Sequence, residues 1–413
     1  MRTQRVGNGS RRIRRSSAVA AACALTLLGA QAAVPAFAGQ AEVATRIYER
    51  LAGVKPTPAQ LTAIQAAMDA AGGSGSTSTQ AQLAAAAYAT DPATAPTFYN
   101  VVLKNMVTPW TNRDQTVFAP LNDYTATVIG MVRDGVPFDQ VLSGDILYTV
   151  TGAGVSGLPA PAINGNDHYA KAEANGVDLA TALVKNTQSA VYGLPAAATA
   201  GVITSYGGAS AFFINGTNRA MFRFTMINHM CNDMQTLMDT TRPPDRIRQD
   251  VSRSPGGDSR IFLNNCVACH SGMDPMAQAF AYYNFDVTAN QLMYTPGQVQ
   301  PKYVKNPQNF PWGFVTPDDS WSNRWRSGPN ADLGWDPNLS GSGEGAASLG
   351  EELENTEAFA NCQVVKVFQA VCLRAPTSST DQSTVANIET LFKRSNYDLK
   401  QVFQQSAAAC AGS

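Results

Sequence analysis

Residues 266–276 read CVACHSGMDPM, and the first five place two thiols three apart with an imidazole directly after. That spacing suits covalent attachment of a porphyrin. Cys266 and Cys269 can form thioethers at its edge, and His270 can reach the iron from one side. A structural zinc shell needs four closely placed ligands, and no second Cys/His pair stands nearby in the chain. A thioredoxin-like redox pair wants a strand–helix setting, which these flanks do not offer. The spacing therefore predicts one haem c, linked through Cys266 and Cys269 and ligated by His270. A single motif means a single covalent haem, which disfavours di-haem peroxidase chemistry and favours one-electron transfer.

The second axial ligand has to approach from the opposite face. Met273 and Met276 follow His270 too closely on the same helix to reach around a ring. His229 and Met230 lie in TNRAMFRFTMINHMCNDMQTLMDTT, and Met293 lies in NQLMYTPGQ. Met293 and His229 are joint candidates. An empty sixth position would instead open the iron to small ligands. Met226, Met230, Met234 and Met238 recur every four residues, a stripe that reads first as core packing. His168, in NGNDHYA, reads as a loop surface residue. Arg246, Arg248, Arg253 and Arg260 precede the motif, and pairing with haem propionates or a solvated loop explains them equally. Asp332, Asp336 and Glu344 make an acidic, Gly-rich stretch without the spacing of a calcium loop. No Gly-x-Ser-x-Gly elbow, phosphate loop or HExxH helix occurs.

The elements that must position the motif read as mostly helical. In residues 41–71, Ile47, Leu51, Leu61, Ile64 and Met68 stand at helical spacings, with Pro56-Thr57-Pro58 turning between two helices. Residues 70–96 are low in complexity and read as a flexible linker running into an alanine-rich helix. FYNVVLKNMVTPW and DYTATVIGMVRDGVPFDQVLSGDILYT favour broken helices, and 152–210 reads as loops with short helices. The Met-rich segment from 217 reads as one long helix. Residues 295–347 read as long loops with a small hairpin. Three helices close the chain near 351–373, 380–394 and 397–411. YERLAGVKPTPAQLTAIQ and FQAVCLRAPTSSTDQSTVANI share a helix–turn–helix outline, a faint internal echo. Nothing alternates enough to suggest a large sheet.

The first 17 residues carry six arginines and no acid, an apolar run follows, and Ala36-Phe37-Ala38 offers a small-x-small cleavage site. Residues 1–38 thus read as a secretory signal peptide, and no later segment is long and apolar enough to span a bilayer. Without that leader the 413-residue chain keeps 24 basic against 31 acidic residues, a net charge of −7. That balance makes the chain a poor candidate for binding nucleic acid or anionic membranes. Export to a bacterial periplasm or the cell exterior implies an oxidising compartment, so Cys231, Cys362, Cys372 and Cys410 read as disulfide partners. If the last three helices run up, down and up, Cys372 and Cys410 end together, leaving Cys231 to pair with Cys362.

Residues 266–286, CVACHSGMDPMAQAFAYYNFD, resemble a motif of roughly CxxCHxxMDPLGFALENFD. It is found in large exported cytochrome c-like proteins of planctomycetes and related bacteria, whose domains carry unknown-function names. TNRAMFRFTMINHMCNDM is similar to the helix before the haem motif there, PFDQVLSGDILYT to an earlier segment, and TEAFANCQVVKVFQAVCLRAPT with YDLKQVFQQSAAAC to a C-terminal helical module. About two thirds of the chain is covered, but only CVACHSGMDP is specific. PMAQAFAYYNFD departs from PLGFALENFD, and the cysteines at 372 and 410 are additional. The resemblance implies haem linkage at Cys266 and Cys269, iron ligation by His270, and export. It assigns no role to Met273-Asp274-Pro275 and no pathway.

The expected fold is mainly α: a helical cytochrome c-like haem domain flanked by helical modules, with long irregular loops. Its parts are a leader (1–38), an N-terminal helical region (39–150), a loop-rich region with the Met-rich helix (151–260), the haem attachment region (261–347) and a C-terminal helical module (348–413). The expected function is one-electron exchange with a redox partner protein. Two rival readings are a haem enzyme or sensor with an open sixth position, acting on oxygen, peroxide or a small organic substrate, and a scaffolding or binding protein with a redox haem appendage.

Overall fold

The computed structural model describes residues 39–411 other than Ala153 and Lys305, so the expected leader lies outside the described residues. Ten helices organise the rest: α1 (Gln40–Ala52), α2 (Pro58–Gly72), α3 (Thr79–Tyr88), α4 (Asp123–Asp134), α5 (Arg219–Met230), α6 (Val267–Ala277), α7 (Gly345–Glu354), α8 (Glu357–Cys372), α9 (Ser379–Arg394) and α10 (Leu399–Ala409), with shorter turns between them. The mainly helical expectation holds. All described residues belong to one compact unit, and the divisions read near 150, 260 and 347 lie inside it.

Caps and apolar spacing explain the helical ends. α1 buries Val43, Ile47 and Leu51 on one face and stops at Gly53, whose φ of 71° only glycine adopts freely. Thr57 then opens α2 with a reciprocal capping box to Gln60, with Pro58 at the first helical position. α3 is the expected alanine-rich helix: Ser78 caps it, and Ala81, Ala85 and Ala86 are buried. Low complexity there reflects a helix whose small side chains allow close approach to α2 and α10. The first expected C-terminal helix is two, α7 and α8, broken where the Thr356 hydroxyl accepts the Phe359 amide.

The internal echo has a structural counterpart. α1–α2 and α8–α9 are both helix–turn–helix pairs, each followed by a third helix, α3 or α10, and those two pack together. Arg50 Nη1 donates to the Val371 carbonyl at 3.0 Å, and Arg46 Nη1 donates to that of Ala411 at 2.8 Å, so the two modules bind each other. Three antiparallel two-stranded ribbons complete the fold: β1 (Leu147–Val150) with β2 (Leu183–Asn186), β3 (Tyr283–Asp286) with β4 (Gln291–Tyr294), and β5 (Ser320–Ser322) with β6 (Ser342–Glu344). The last lies within 295–347, the stretch expected to hold a small hairpin, but its two strands are joined by the long segment 323–341. Among the described residues no helix is long and apolar enough to cross a membrane.

The Met-rich segment departs from expectation. α5 ends at Cys231, which takes a left-handed φ of 54° while bonded to Cys362. The stripe is therefore broken: Met226 and Met230 are core, Met234 is buried in the following turn, and Met238 is 43% exposed. Both expected disulfides are present, Cys231–Cys362 joining α5 to α8 and Cys372–Cys410 joining the ends of α8 and α10. Replacing Cys372 and Cys410 together by alanine should lower unfolding stability by about 3–4 kcal/mol in denaturant titrations, because it releases a 38-residue closure.

Candidate functional site

The motif sits where a polar loop turns into α6. Residues Phe262–Cys266 form a wide π turn that continues directly into α6, the kind of local widening that often marks functional positions. Phe262 faces inward with Ile247, Val251 and Val267, and Cys266 packs against that small cluster. Cys269 instead leans on the main core, its Sγ 3.4 Å from the Met234 carbonyl. Leu263, Cys266, Cys269 and His270 recur at helical spacing on the face left partly open, with Leu263 57% exposed.

Both thiols are unbonded. Burial, then the neighbouring Cys266 and Asp233, push the Cys269 thiol up from its ordinary value. A dithiol oxidoreductase needs the opposite, a depressed pKa that supplies thiolate. Among the described residues no group of three or more His, Cys, Asp or Glu side chains is gathered as a metal site would need.

His270 is tied from behind. Its Nδ1 lies 3.0 Å from Asp274 Oδ1, one helical turn onward, and the ring is 20% exposed. With Nδ1–H given to a carboxylate, the lone pair belongs to Nε2, which has no hydrogen-bond partner among the described residues. Asp274 is itself fully buried. It accepts Arg219 Nε at 2.6 Å and Nη2 at 2.8 Å, and the Arg248 amide at 3.3 Å. Arg219 also grips Asp250 through Nη1 at 2.7 Å and Nη2 at 2.9 Å. Burial alone would raise the Asp274 pKa, but Arg219, His270 and Arg248 together hold it well below the usual carboxylate range. Arg219 is raised in turn: burial opposes its charge, and the two aspartates overcome that.

Two unbonded thiols at i and i+3, an adjacent imidazole with a bare Nε2, and apolar surface at Ile261 and Leu263 beside them form a donor set that fits a covalently held haem. α6 is fixed from below by close packing. At Gly272 a Cβ would stand 1.9 Å from Trp325 Nε1, so only glycine allows the fully buried indole to cross there. Met273 and Met276 point into the core.

The two sixth-ligand candidates lie in different settings. His229 is fully buried near the end of α5, its Nε2 2.6 Å from the Tyr124 hydroxyl, with Trp110 and Phe359 against the ring. Burial, then Lys366, depresses its pKa well below the ordinary value, so it is neutral. Met293 is half-buried on β4 opposite Asn284. Among the described residues neither shares a hydrogen bond, ion pair or ring contact with His270, although α5 packs on α6.

Two other readings change. His168 is buried, accepting the Val150 amide at Nε2 and meeting the Pro159 carbonyl at Nδ1, so it is an internal strut. Of the four arginines, only Arg260 stands fully in solvent, paired with Asp258. Arg246 lies over Phe314, Arg253 over Phe262 and Phe310, and Arg248 is buried over Tyr303 with Nε and Nη1 unpartnered. Arg219, Asp250 and Asp274 escaped the sequence reading. The available signal was Asp274 at i+4 from His270, which puts both on one helix face.

Compared with known proteins, the chain matches no family model, no curated protein and no solved structure.

The His229 region offers a pH test. Lys366 packs its ammonium 4.3 Å over Trp110, and burial lowers its pKa from 10.5 to about 7. Unfolding then takes up a proton between about pH 7 and 10.5, so this lysine costs stability increasingly as pH falls through that window. Lys366→Met should gain on the wild type as pH drops from 10 to 7 in paired denaturant melts, with the difference levelling off below about 7. A pH-independent difference would refute the shifted lysine.

Proposed function

We propose that this chain is an exported, single-haem c-type cytochrome that exchanges one electron at a time with a redox partner protein. What carries the reading is one helix face, where two unbonded thiols three residues apart precede an imidazole that has only Nε2 left to offer. Haem, when bound there, supplies reversible one-electron chemistry at its iron. The chain's own part is anchoring, ligation and orientation. Cys266 and Cys269 fasten the ring edge, His270 presents Nε2, and Asp274 fixes the imidazole plane. Ile261 and Leu263, 41% and 57% exposed, lend apolar surface beside the thiols.

For the sixth position Met293 and His229 remain the proposed alternatives. Ligation by His229 through Nε2 would cost its 2.6 Å bond to Tyr124, whereas its buried Nδ1 has no hydrogen-bond partner to give up. The two disulfides are consistent with an oxidising compartment, in keeping with export.

Protein matured in a host able to attach haem should exceed the mass of its processed polypeptide by one haem. The Cys266→Ala/Cys269→Ala double variant should retain no haem after acid–acetone extraction. Bare polypeptide from such a host overturns the reading. A ferrous spectrum unchanged by carbon monoxide is expected of six-coordinate iron in a carrier. Rapid carbon monoxide binding would replace the carrier with a haem enzyme or sensor.

A further inference from the structure

Met273-Asp274-Pro275 follows the motif, and neither the spacing nor the resemblance gives it a task. We propose that Asp274 is the positioning residue that fixes His270 in its iron-binding tautomer and strengthens it as a donor, so that the site favours ferric over ferrous iron. The inference rests on His270 being the iron ligand.

The argument begins with the alternatives open to the ring. A free neutral imidazole can carry its proton on either nitrogen, and only the Nδ1–H form leaves Nε2 available to a metal. Here Nδ1 lies 3.0 Å from a carboxylate oxygen, an acceptor that selects the Nδ1–H form. The carboxylate is not free to turn away. Arg219 holds both of its oxygens, at 2.6 Å and 2.8 Å, and the Arg248 amide adds a third donor. Arg219 is in turn clamped by both oxygens of Asp250 and by the Thr217 hydroxyl at 2.9 Å. The chain His270–Asp274–Arg219–Asp250 thus spans α6, α5 and the preceding loop, with each member gripped at more than one atom except His270.

An anionic acceptor behind a ligating imidazole raises its basicity more than a neutral carbonyl does. Greater donation stabilises the more highly charged metal, so the ferric state gains relative to the ferrous one. A purely structural ion pair between α5 and α6 would make no such demand on His270. The two roles can therefore be separated by measurements at the ring and at the iron.

The first measurement needs no haem. In the full-length chain made in a host that attaches none, the ring 15N shifts of His270 should report a protonated Nδ1 and a bare Nε2. An Nε2–H tautomer overturns the proposal, whether or not the protein binds haem. The second uses matured holoprotein. Asp274→Asn should raise the ferrous-to-ferric ratio at fixed ambient potential by at least tenfold, equivalent to about 59 mV for one electron. Arg219→Lys, which keeps the carboxylate, should move it less. An unchanged potential in Asp274→Asn, or an equal shift in both variants, assigns Asp274 a structural role only. If Asp274→Asn does not fold, the wild-type tautomer still decides. Failure of the haem reading appears separately, as bare polypeptide mass.

Discussion

The ionised carboxylate of Asp274, sealed inside the protein, constrains everything around it. An isolated charge in that position would cost several kcal/mol, so the fold must bring compensating donors to it from elsewhere in the chain. Arg219 comes from the start of α5, 55 residues upstream, and supplies two of them. The Arg248 amide comes from the loop, and His270 from the preceding turn of α6 itself. Satisfying one buried anion thus fixes the crossing of α5 and α6 and the course of the loop over them. It also sets the angle at which the imidazole faces outward.

The rest of the molecule keeps that crossing in place. α5 packs on α8, and the Cys231–Cys362 bond pins its C-terminal end there. α8 is in turn the pivot of the C-terminal module, joined to α10 by the second disulfide and to the N-terminal helices through Arg50. Rigidity therefore runs from both ends of the chain to one helix, and from that helix to the site. Both thiols are partly open, Cys269 leaning on the main core and Cys266 on the smaller cluster around Phe262, and beside them Leu263 and Ile261 leave apolar surface uncovered.

How much of this was legible depended on range. The CxxCH spacing, the Pro56-Thr57-Pro58 turn and the apolar periods of α1 and α2 are local, and local patterns can be read directly. The disulfide pairing was legible because helix direction alone brings Cys372 and Cys410 to one end. The Met stripe misled because its four-residue spacing continues past Cys231, while the disulfide and a left-handed residue end the helix there. His168 looked polar and loop-bound, and nothing local shows that Val150 and Pro159 close around it. The anchoring network was the least legible part. Its members lie 31 and 55 residues from Arg219, and a salt bridge leaves no periodic trace. Only the four-residue step from His270 to Asp274 was open to inspection.

The six cysteines among the described residues have two incompatible fates. Four are oxidised in pairs and two are free, Cys266 at the end of the π turn and Cys269 on α6. Cys231 finds its partner 131 residues later, whereas Cys266 and Cys269 follow it far sooner in the chain. If the chain is exported from its N-terminus as proposed, those two emerge before Cys362, and a disulfide oxidant met at that stage could link either of them to Cys231. Thioethers at 266 and 269 would take both competitors out of that exchange. The cofactor would then serve the nascent chain as a protecting group, making correct oxidation of the scaffold a by-product of its own attachment.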